Sequence, residues 1–303
     1  MVQGIAAILA FVTMCAELMS SSAPPGCAGG DAPVHSSSGL VTLHSRASEV
    51  RIAFRVGNGR RKSVVLARGD ITIRSENQAV TAITSFDRAD DLPLQLALVV
   101  DASGSMQEIF PEERLAAEKF LKQLVRPPVD DAFVVVFATG ALVTHSAALE
   151  DIRPDGQTAL YDTLYDVART LEGTRRPEPA RRAIILLSDG EDNWSRRNLE
   201  EAIAAAQQAD AVIYGITAHS RRYEFRGDRV LQELAEATGG RAFLLKRFDQ
   251  LDKVLAVIEA ELRSYYVVGF HPPSVACGFH DVKISVRGKS KVRARGGYYV
   301  EKP

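Results

Sequence analysis

Four short, unbroken apolar runs constrain the fold of this chain more than any other feature. They are "LALVV" (96–100), "FVVVF" (133–137), "AIILL" (183–187) and "AVIYGI" (211–216). Strands that are covered on both faces have this character, because neither face needs polar side chains. Segments with a helical period lie between the runs, and strands that alternate with helices form a mostly parallel sheet. We therefore predict a doubly wound α/β domain over residues 89–264.

Helix signals support this alternation. "PEERLAAEKFLKQL" (111–124) begins with a proline and two glutamates, which suit a helix N-terminus. In "ALYDTLYDVARTLEG" (159–173) the apolar residues fall on one face, and the pattern stops at Gly173. Three further helices are predicted, in "NLEEAIAAAQQA" (198–209), "VLQELAEATGG" (230–240) and "FDQLDKVLAVIEAELRS" (248–264).

The segments on either side of this domain, 41–88 and 265–303, alternate with a period of two. In "VRIAFRV" (50–56) every second residue is apolar, and "HDVKISVRG" (280–288) repeats the pattern. Each segment is too short to build a good core alone. We predict that they combine into one small flanking β-sandwich. A solvated strand face is the favoured interpretation for the arginines of the first segment, Arg51, Arg55, Arg60, Arg61, Arg68 and Arg74.

Composition excludes several classes of protein. The 303 residues carry a formal net charge of −1, so no global field favours nucleic acid or an anionic membrane. The three cysteines form no CxxC pair, so neither a zinc knuckle nor a disulfide framework is indicated. Whether Cys27 and Cys277 pair stays open, as does the oligomeric state.

The N-terminal stretch "GIAAILAFVTMCAELM" (4–19) is mostly apolar and is followed by small residues and prolines. This order is typical of a signal-peptide core and its cleavage zone. The stretch is short for a transmembrane span and is interrupted by Glu17. We predict a signal peptide and linker over 1–40, a mature chain without a transmembrane span, and export to the periplasm, cell envelope or medium.

Polar residues follow the apolar runs at the places where an open parallel sheet binds ligands, beyond the carboxyl ends of its strands. Asp101, Ser103 and Ser105 follow the first run, Asp189 follows "AIILL", and Thr158 lies at the helix start, directly before the 159–173 pattern. Each signal alone is more often a turn or a helix cap. Together they offer carboxylate and hydroxyl oxygens with no imidazole or thiolate, a set that suits Mg²⁺, Mn²⁺ or Ca²⁺.

The motifs "DASGSM" (101–106), "GQT" (156–158) and "SDG" (188–190), in this order, resemble those of a von Willebrand factor type A (VWA) domain. The resemblance covers about 90–263 and implies a metal-ion-dependent adhesion site. It implies that Ser103 and Ser105 are direct ligands and that Thr158 joins them in the open form. It also implies that Asp101 and Asp189 act mainly through water. "SYYVVGFHPP" (264–273) and "RARGGYYV" (293–300) resemble the ending of bacterial VWA-related proteins of the acidobacterial type.

Signals of an enzyme are weak. The sequence holds no HExxH and no G-x-S-x-G around Ser103, and "GNGRRK" (57–62) lacks the G-K-[ST] of a nucleotide loop. The expected function is therefore non-enzymatic: an exported, Mg²⁺-dependent module that captures an Asp or Glu of a partner protein. Two alternatives stay open, a cell-envelope scaffold with a vestigial metal site and a metal-assisted hydrolase.

Overall fold

A computed structural model describes residues 49–56, 65–88, 92–144, 149, 151–173, 180–218, 226–274, 276, 278–288 and 291–300. The predicted signal peptide and the question of a Cys27–Cys277 pair lie outside these residues. The strands are β1 (Val50–Val56), β2 (Ile71–Ser75), β3 (Gln78–Ala79), β4 (Ile83–Arg88), β5 (Leu94–Asp101), β6 (Asp131–Phe137), β7 (Ala141–Thr144), β8 (Arg181–Leu187), β9 (Ala211–Ala218), β10 (Arg241–Leu245), β11 (Tyr266–Phe270), β12 (Gly278–Val286), β13 (Val292–Ala294) and β14 (Gly297–Val300).

The helices follow the predicted segments with small shifts at their ends. They are α1 (Phe110–Leu124), α2 (Leu160–Gly173), α3 (Leu199–Gln208), α4 (Arg226–Ala237) and α5 (Leu251–Leu262). Asn198 caps α3, since its side chain accepts a hydrogen bond from the Glu201 N–H and the Glu201 carboxylate accepts one from the Asn198 N–H. The helix α4 begins four residues before the apolar pattern that predicted it.

The central sheet has six strands in the order β10-β9-β8-β5-β6-β7. All neighbouring pairs are parallel except β6 with the edge strand β7. Every residue of β5 is buried, as the unbroken apolar run predicts. The chain passes from β5 to β6 on one side and later to β8 on the other, so the strand order reverses beside β5. The carboxyl end of β5 is thus the switch point at which ligands bind in such sheets.

Helices cover both faces of this sheet. One core cluster contains buried residues of α1 and α5, including Phe120 and Ile258. The other contains buried residues of α2, α3 and α4, including Leu164 and Leu234. The predicted doubly wound architecture is therefore confirmed.

Each of the two remaining sheets combines strands from both ends of the chain. Their orders are β13-β1-β11-β4 and β14-β12-β2-β3. Both sheets contribute to one apolar core, which contains Phe54 and Val268 from the first and Ile73 and Ile284 from the second. This is the small sandwich of N- and C-terminal strands that the sequence predicted. The exact domain boundaries proposed from the sequence stay a prediction.

One interpretation of the first segment was wrong. Arg55 is not part of a solvated face; only 8% of it is exposed. Its guanidinium pairs with Glu261 near the end of α5, and Arg293 of β13 contacts the other Glu261 oxygen at 3.2 Å. At Arg55, the face of β1 that points away from the sandwich core is therefore covered by the α/β layer rather than by water.

Candidate divalent-cation site

The first loop of the site begins inside β5. Asp101 is the last residue of that strand and is fully buried. Its Oδ1 accepts a 2.9 Å hydrogen bond from the Ser103 N–H, which starts a single 3₁₀ turn, Gly104–Met106. The hydroxyl oxygens of Ser103 and Ser105 lie 3.2 Å apart, and Ser103 is buried whereas Ser105 is exposed. Two hydroxyls therefore stand side by side at the solvent boundary.

The second loop is held against the first by backbone hydrogen bonds. Asp155 N–H donates to the Ala102 carbonyl at 2.9 Å, and Gly104 N–H donates to the Gly156 carbonyl at 3.2 Å. Gly156 has a φ of 87°, and a β-carbon there would overlap the Thr139 hydroxyl, so this turn requires glycine. Thr158 is buried and lies two residues before α2 begins.

The third loop reaches Asp101 through a serine. The Ser188 hydroxyl donates a 2.6 Å hydrogen bond to Asp101 Oδ2 and accepts one from the Gly190 N–H at 3.0 Å. Asp189 is half-buried, and its Oδ1 accepts a hydrogen bond from the Glu191 N–H. Gly190 has a φ of 78° and lies directly against the backbone of Gly227 in α4. The close contact fixes the backbone that carries Asp189.

The segment 191–198, which we name the rim loop, ties the third loop to the second. Asn193 Oδ1 accepts a 2.8 Å hydrogen bond from the Thr158 N–H, and the Thr158 carbonyl accepts bonds from the N–H groups of Asn193 and Trp194. Asp192 accepts from Tyr161 N–H and from the Ser195 hydroxyl. Its carboxylate is therefore engaged in holding the loop.

Uncompensated negative charge marks the site. Burial raises the pKa of Asp101 to about 6; hydrogen bonds from Ser188 and Ser103 oppose this shift, and repulsion from Asp189 adds to it. Burial, with repulsion from Asp101 and Asp189, also raises the pKa of Glu113 in α1 well above its usual range. Within the described part of the chain, no lysine or arginine pairs with Asp101 or Asp189.

The donor set fits a hard divalent cation. It comprises hydroxyl and carboxylate oxygens on loops that hydrogen bonds hold together, beside carboxylates that lack a cationic partner among the described residues. Within the residues that the structure describes, no group of three or more His, Cys, Asp and Glu side chains is placed to hold a metal ion. Any cation here would therefore depend on the serine and threonine hydroxyls as well as on carboxylates.

The structure brings the five predicted residues to one end of the sheet, but it also adds residues that the sequence analysis missed. Ser188 is part of the "SDG" motif, so the sequence indicated its position. The sequence did not predict its hydrogen bond to Asp101. Asn193 has no sequence signal, because its contact with Thr158 joins residues 35 apart. Glu113 lies at the helix start as predicted, but its burial, with only 1% of it exposed, had no signal in the sequence.

Comparison with known proteins agrees with this geometry. The family model for the von Willebrand factor type A domain matches residues 95–257. No curated protein matches the chain. Among solved structures, a von Willebrand factor type A protein from Catenulispora acidiphila superposes with a TM-score of 0.50 at 14% identity, over 85% of this chain and 74% of that one. This supports the fold alone.

Two other solved structures superpose less closely. Proximal thread matrix protein 1 from the mussel byssus, with a zinc-occupied MIDAS motif, gives a TM-score of 0.47 at 21% identity, over 62% of this chain and 49% of that one. An aerotolerance-related membrane protein from Bacteroides fragilis gives 0.44 at 18% identity, over 56% of this chain and 98% of that one. The finer resemblance to the acidobacterial type stays a prediction. Because the family model spans more than half of the 303 residues, this chain belongs to the von Willebrand factor type A domain family.

Proposed function

We propose that this chain is an exported protein-binding module that captures an Asp or Glu of a partner protein at a divalent-cation site. The residues that would hold the cation are Asp101, Ser103, Ser105, Thr158 and Asp189. The observation that carries the proposal is the hydrogen-bonded junction of three loops beside uncompensated carboxylates at the switch point of the sheet. Mg²⁺ is the proposed ion, with Mn²⁺ and Ca²⁺ as alternatives, because all the donors are oxygen atoms.

The protein contacts of these residues favour a division of roles. Both Asp101 oxygens already accept a hydrogen bond, from Ser103 N–H and from the Ser188 hydroxyl, so Asp101 suits an indirect role through water. The neighbouring Ser103 and Ser105 hydroxyls suit direct ligation. Hydroxyls leave most of the positive charge of a bound ion uncompensated, so the ion supplies a centre to which a partner carboxylate is attracted.

Export is the second part of the proposal, and the apolar stretch 4–19 with the small residues after it supports it. No helix in the described ranges is long and apolar enough to cross a membrane. The expected N-terminus of the native mature protein lies between about residues 20 and 33. N-terminal sequencing of protein from the native source checks this, and a chain that begins at Met1 in the cytoplasmic fraction would contradict it.

The cation is tested first, on the purified protein. Mg²⁺ or Mn²⁺ should raise the melting temperature, because a ligand of the folded state stabilises it by mass action. Ser103→Ala should abolish the increase. Trp194 is the only tryptophan in the chain; it is 57% exposed, and its N–H bonds to Thr158, so its fluorescence reports binding independently. A melting temperature and fluorescence that stay unchanged with millimolar Mg²⁺ would contradict the site.

Partner chemistry is tested with an array of peptides that differ only in a central Asp or Glu against Asn or Gln. Binding should require both the carboxylate and the cation, and should disappear with EDTA. Thr158→Ala should weaken it, whereas Thr158→Ser, which keeps the hydroxyl, should retain it. Cation binding without any dependence on the carboxylate would favour a scaffold whose site has lost its adhesive role. Turnover of phosphoester or peptide substrates that needs Asp101 would favour the hydrolase alternative.

A further inference from the structure

Glu113 is a buried acid that neither the family motif nor the fold explains. It lies in the first turn of α1, the helix that directly follows the Asp101 loop. Only 1% of the residue is exposed, although Glu112 beside it is exposed. A glutamate is almost never fully buried unless it is paired. An unpaired one therefore needs a reason.

Within the described residues, Glu113 has no such pair. Its Oε2 atom is buried and lacks any hydrogen-bond partner there. A buried polar atom without a partner lowers stability, and a buried carboxylate does so more strongly. The electrostatic influences on Glu113 are all unfavourable, since the charged groups that act on it are Asp101, Asp189 and Glu112. The protein groups around Glu113 therefore hold this acid at a cost in stability.

Packing does not account for the glutamate either. The neighbouring core of α1 is built from apolar residues such as Phe110 and Ala117. A glutamine or a methionine has nearly the same length and carries no charge to desolvate. Residues that lower stability are retained where they serve a site, and perturbed acids concentrate at such places.

We propose that Glu113 is an electrostatic component of the divalent-cation site, a third carboxylate that strengthens cation binding without ligating the ion. It does not join Asp101 and Asp189 in a direct three-carboxylate cluster, because no such group exists among the described residues. Burial and the neighbouring carboxylates favour the protonated acid, and a nearby divalent cation would favour the ionised form, whose charge is screened less at a buried position than in water. This inference rests on the cation site of the proposed function, but not on the partner.

The test compares Glu113→Gln with wild type, and uses Glu112→Gln as the matched control for loss of an exposed charge one residue away. Two quantities are measured on the full folded chain. One is the melting temperature in EDTA, and the other is the dissociation constant for Mg²⁺ or Mn²⁺ by calorimetry and Trp194 fluorescence. Glu113→Met is a second variant, which removes the charge with an apolar side chain of similar length.

The expected result is a pair of opposite changes. Glu113→Gln should raise the melting temperature in EDTA, because the uncompensated acid is gone, and should weaken cation binding about tenfold. Glu113→Met should weaken cation binding similarly, and Glu112→Gln should change either quantity little. A purely structural glutamate would not produce this combination.

Three results would overturn the inference. Cation affinity of both Glu113 variants within about twofold of wild type would remove Glu113 from the site, while the proposed function stands. Loss of folding in EDTA for both variants would assign Glu113 a structural role. Absence of any cation binding by wild type would overturn the inference and the proposed cation site together.

Discussion

The Ser188 hydroxyl donates a 2.6 Å hydrogen bond to the fully buried carboxylate of Asp101, and so links the loops that follow two neighbouring strands, β8 and β5. The Ser195 hydroxyl makes a bond of the same length to Asp192, but in a half-buried part of the rim loop. The two pairs have the same chemistry and differ in burial. They therefore separate the effect of burial from the effect of the hydrogen bond itself.

Ser188→Ala should lower the free energy of unfolding in EDTA by about 1–3 kcal/mol, because it leaves a buried carboxylate oxygen without its donor. Ser195→Ala should lower the free energy of unfolding by about 1 kcal/mol or less, since water can replace the lost hydroxyl. Urea unfolding of both variants against wild type measures the difference. Equal losses would show that burial of Asp101 does not set the strength of its bond to Ser188.

Gly190→Ala should destabilise the protein and weaken cation binding together. The residue has a φ of 78°, and a β-carbon would overlap the carbonyl oxygen of Gly227, so the backbone beside Asp189 must move. Gly288→Ala is the control, because Gly288 has a φ of 101° but no described residue has an atom within 4 Å of an added β-carbon. In the control, backbone strain alone should lower the free energy of unfolding by about 1 kcal/mol. Its cation affinity should stay at the wild-type value. The measurements are thermal unfolding and calorimetry.

Glu261→Gln should be among the most damaging single changes in α5. Glu261 is fully buried and pairs with Arg55 and Arg293, so its loss leaves buried guanidinium charge uncompensated, at a cost of about 3–5 kcal/mol. Glu259→Gln removes a partly exposed partner of Arg263 on the same helix and should cost about 0.5 kcal/mol or less. Denaturant unfolding distinguishes them, and similar values for the two variants would contradict the structural role of the buried cluster.

Asp162 should make the stability depend on pH in the acid range. Burial alone would raise the pKa of Asp162, but hydrogen bonds from the N–H groups of Arg196 and Arg197 and from the Arg197 side chain outweigh it, so the pKa is lowered. The unfolded chain then binds the proton more readily than the folded one. The stabilisation is therefore present above the unfolded pKa of about 4 and is lost as the pH falls through the folded value.

The difference in unfolding free energy between wild type and Asp162→Asn measures this contribution. It should be largest near neutral pH and should shrink as the pH falls below about 4. A difference that stays constant or grows toward low pH would mean that the folded pKa of Asp162 is not lowered.

Local patterns in the sequence determined most of the architecture. Unbroken apolar runs predicted the interior strands, because a strand covered on both faces cannot alternate. The helix segments and the motif residues Asp101, Ser103, Ser105, Thr158 and Asp189 were predicted from the same local signals. The edge strands β7 and β10 were missed, since their partly exposed residues carry no such run.

Only the tertiary structure decided what covers the polar face of a strand or helix. The alternation in 50–56 placed Arg55 correctly on the face away from the sandwich core, but the α/β layer buries that face against Glu261. Glu113 likewise lies in a helix-start pattern that local sequence does not distinguish from a solvated one, and only the tertiary structure buries it. A sequence pattern records which way a side chain points along its own element. Whether water or another element meets it there depends on contacts between residues far apart in the chain, which no local pattern encodes.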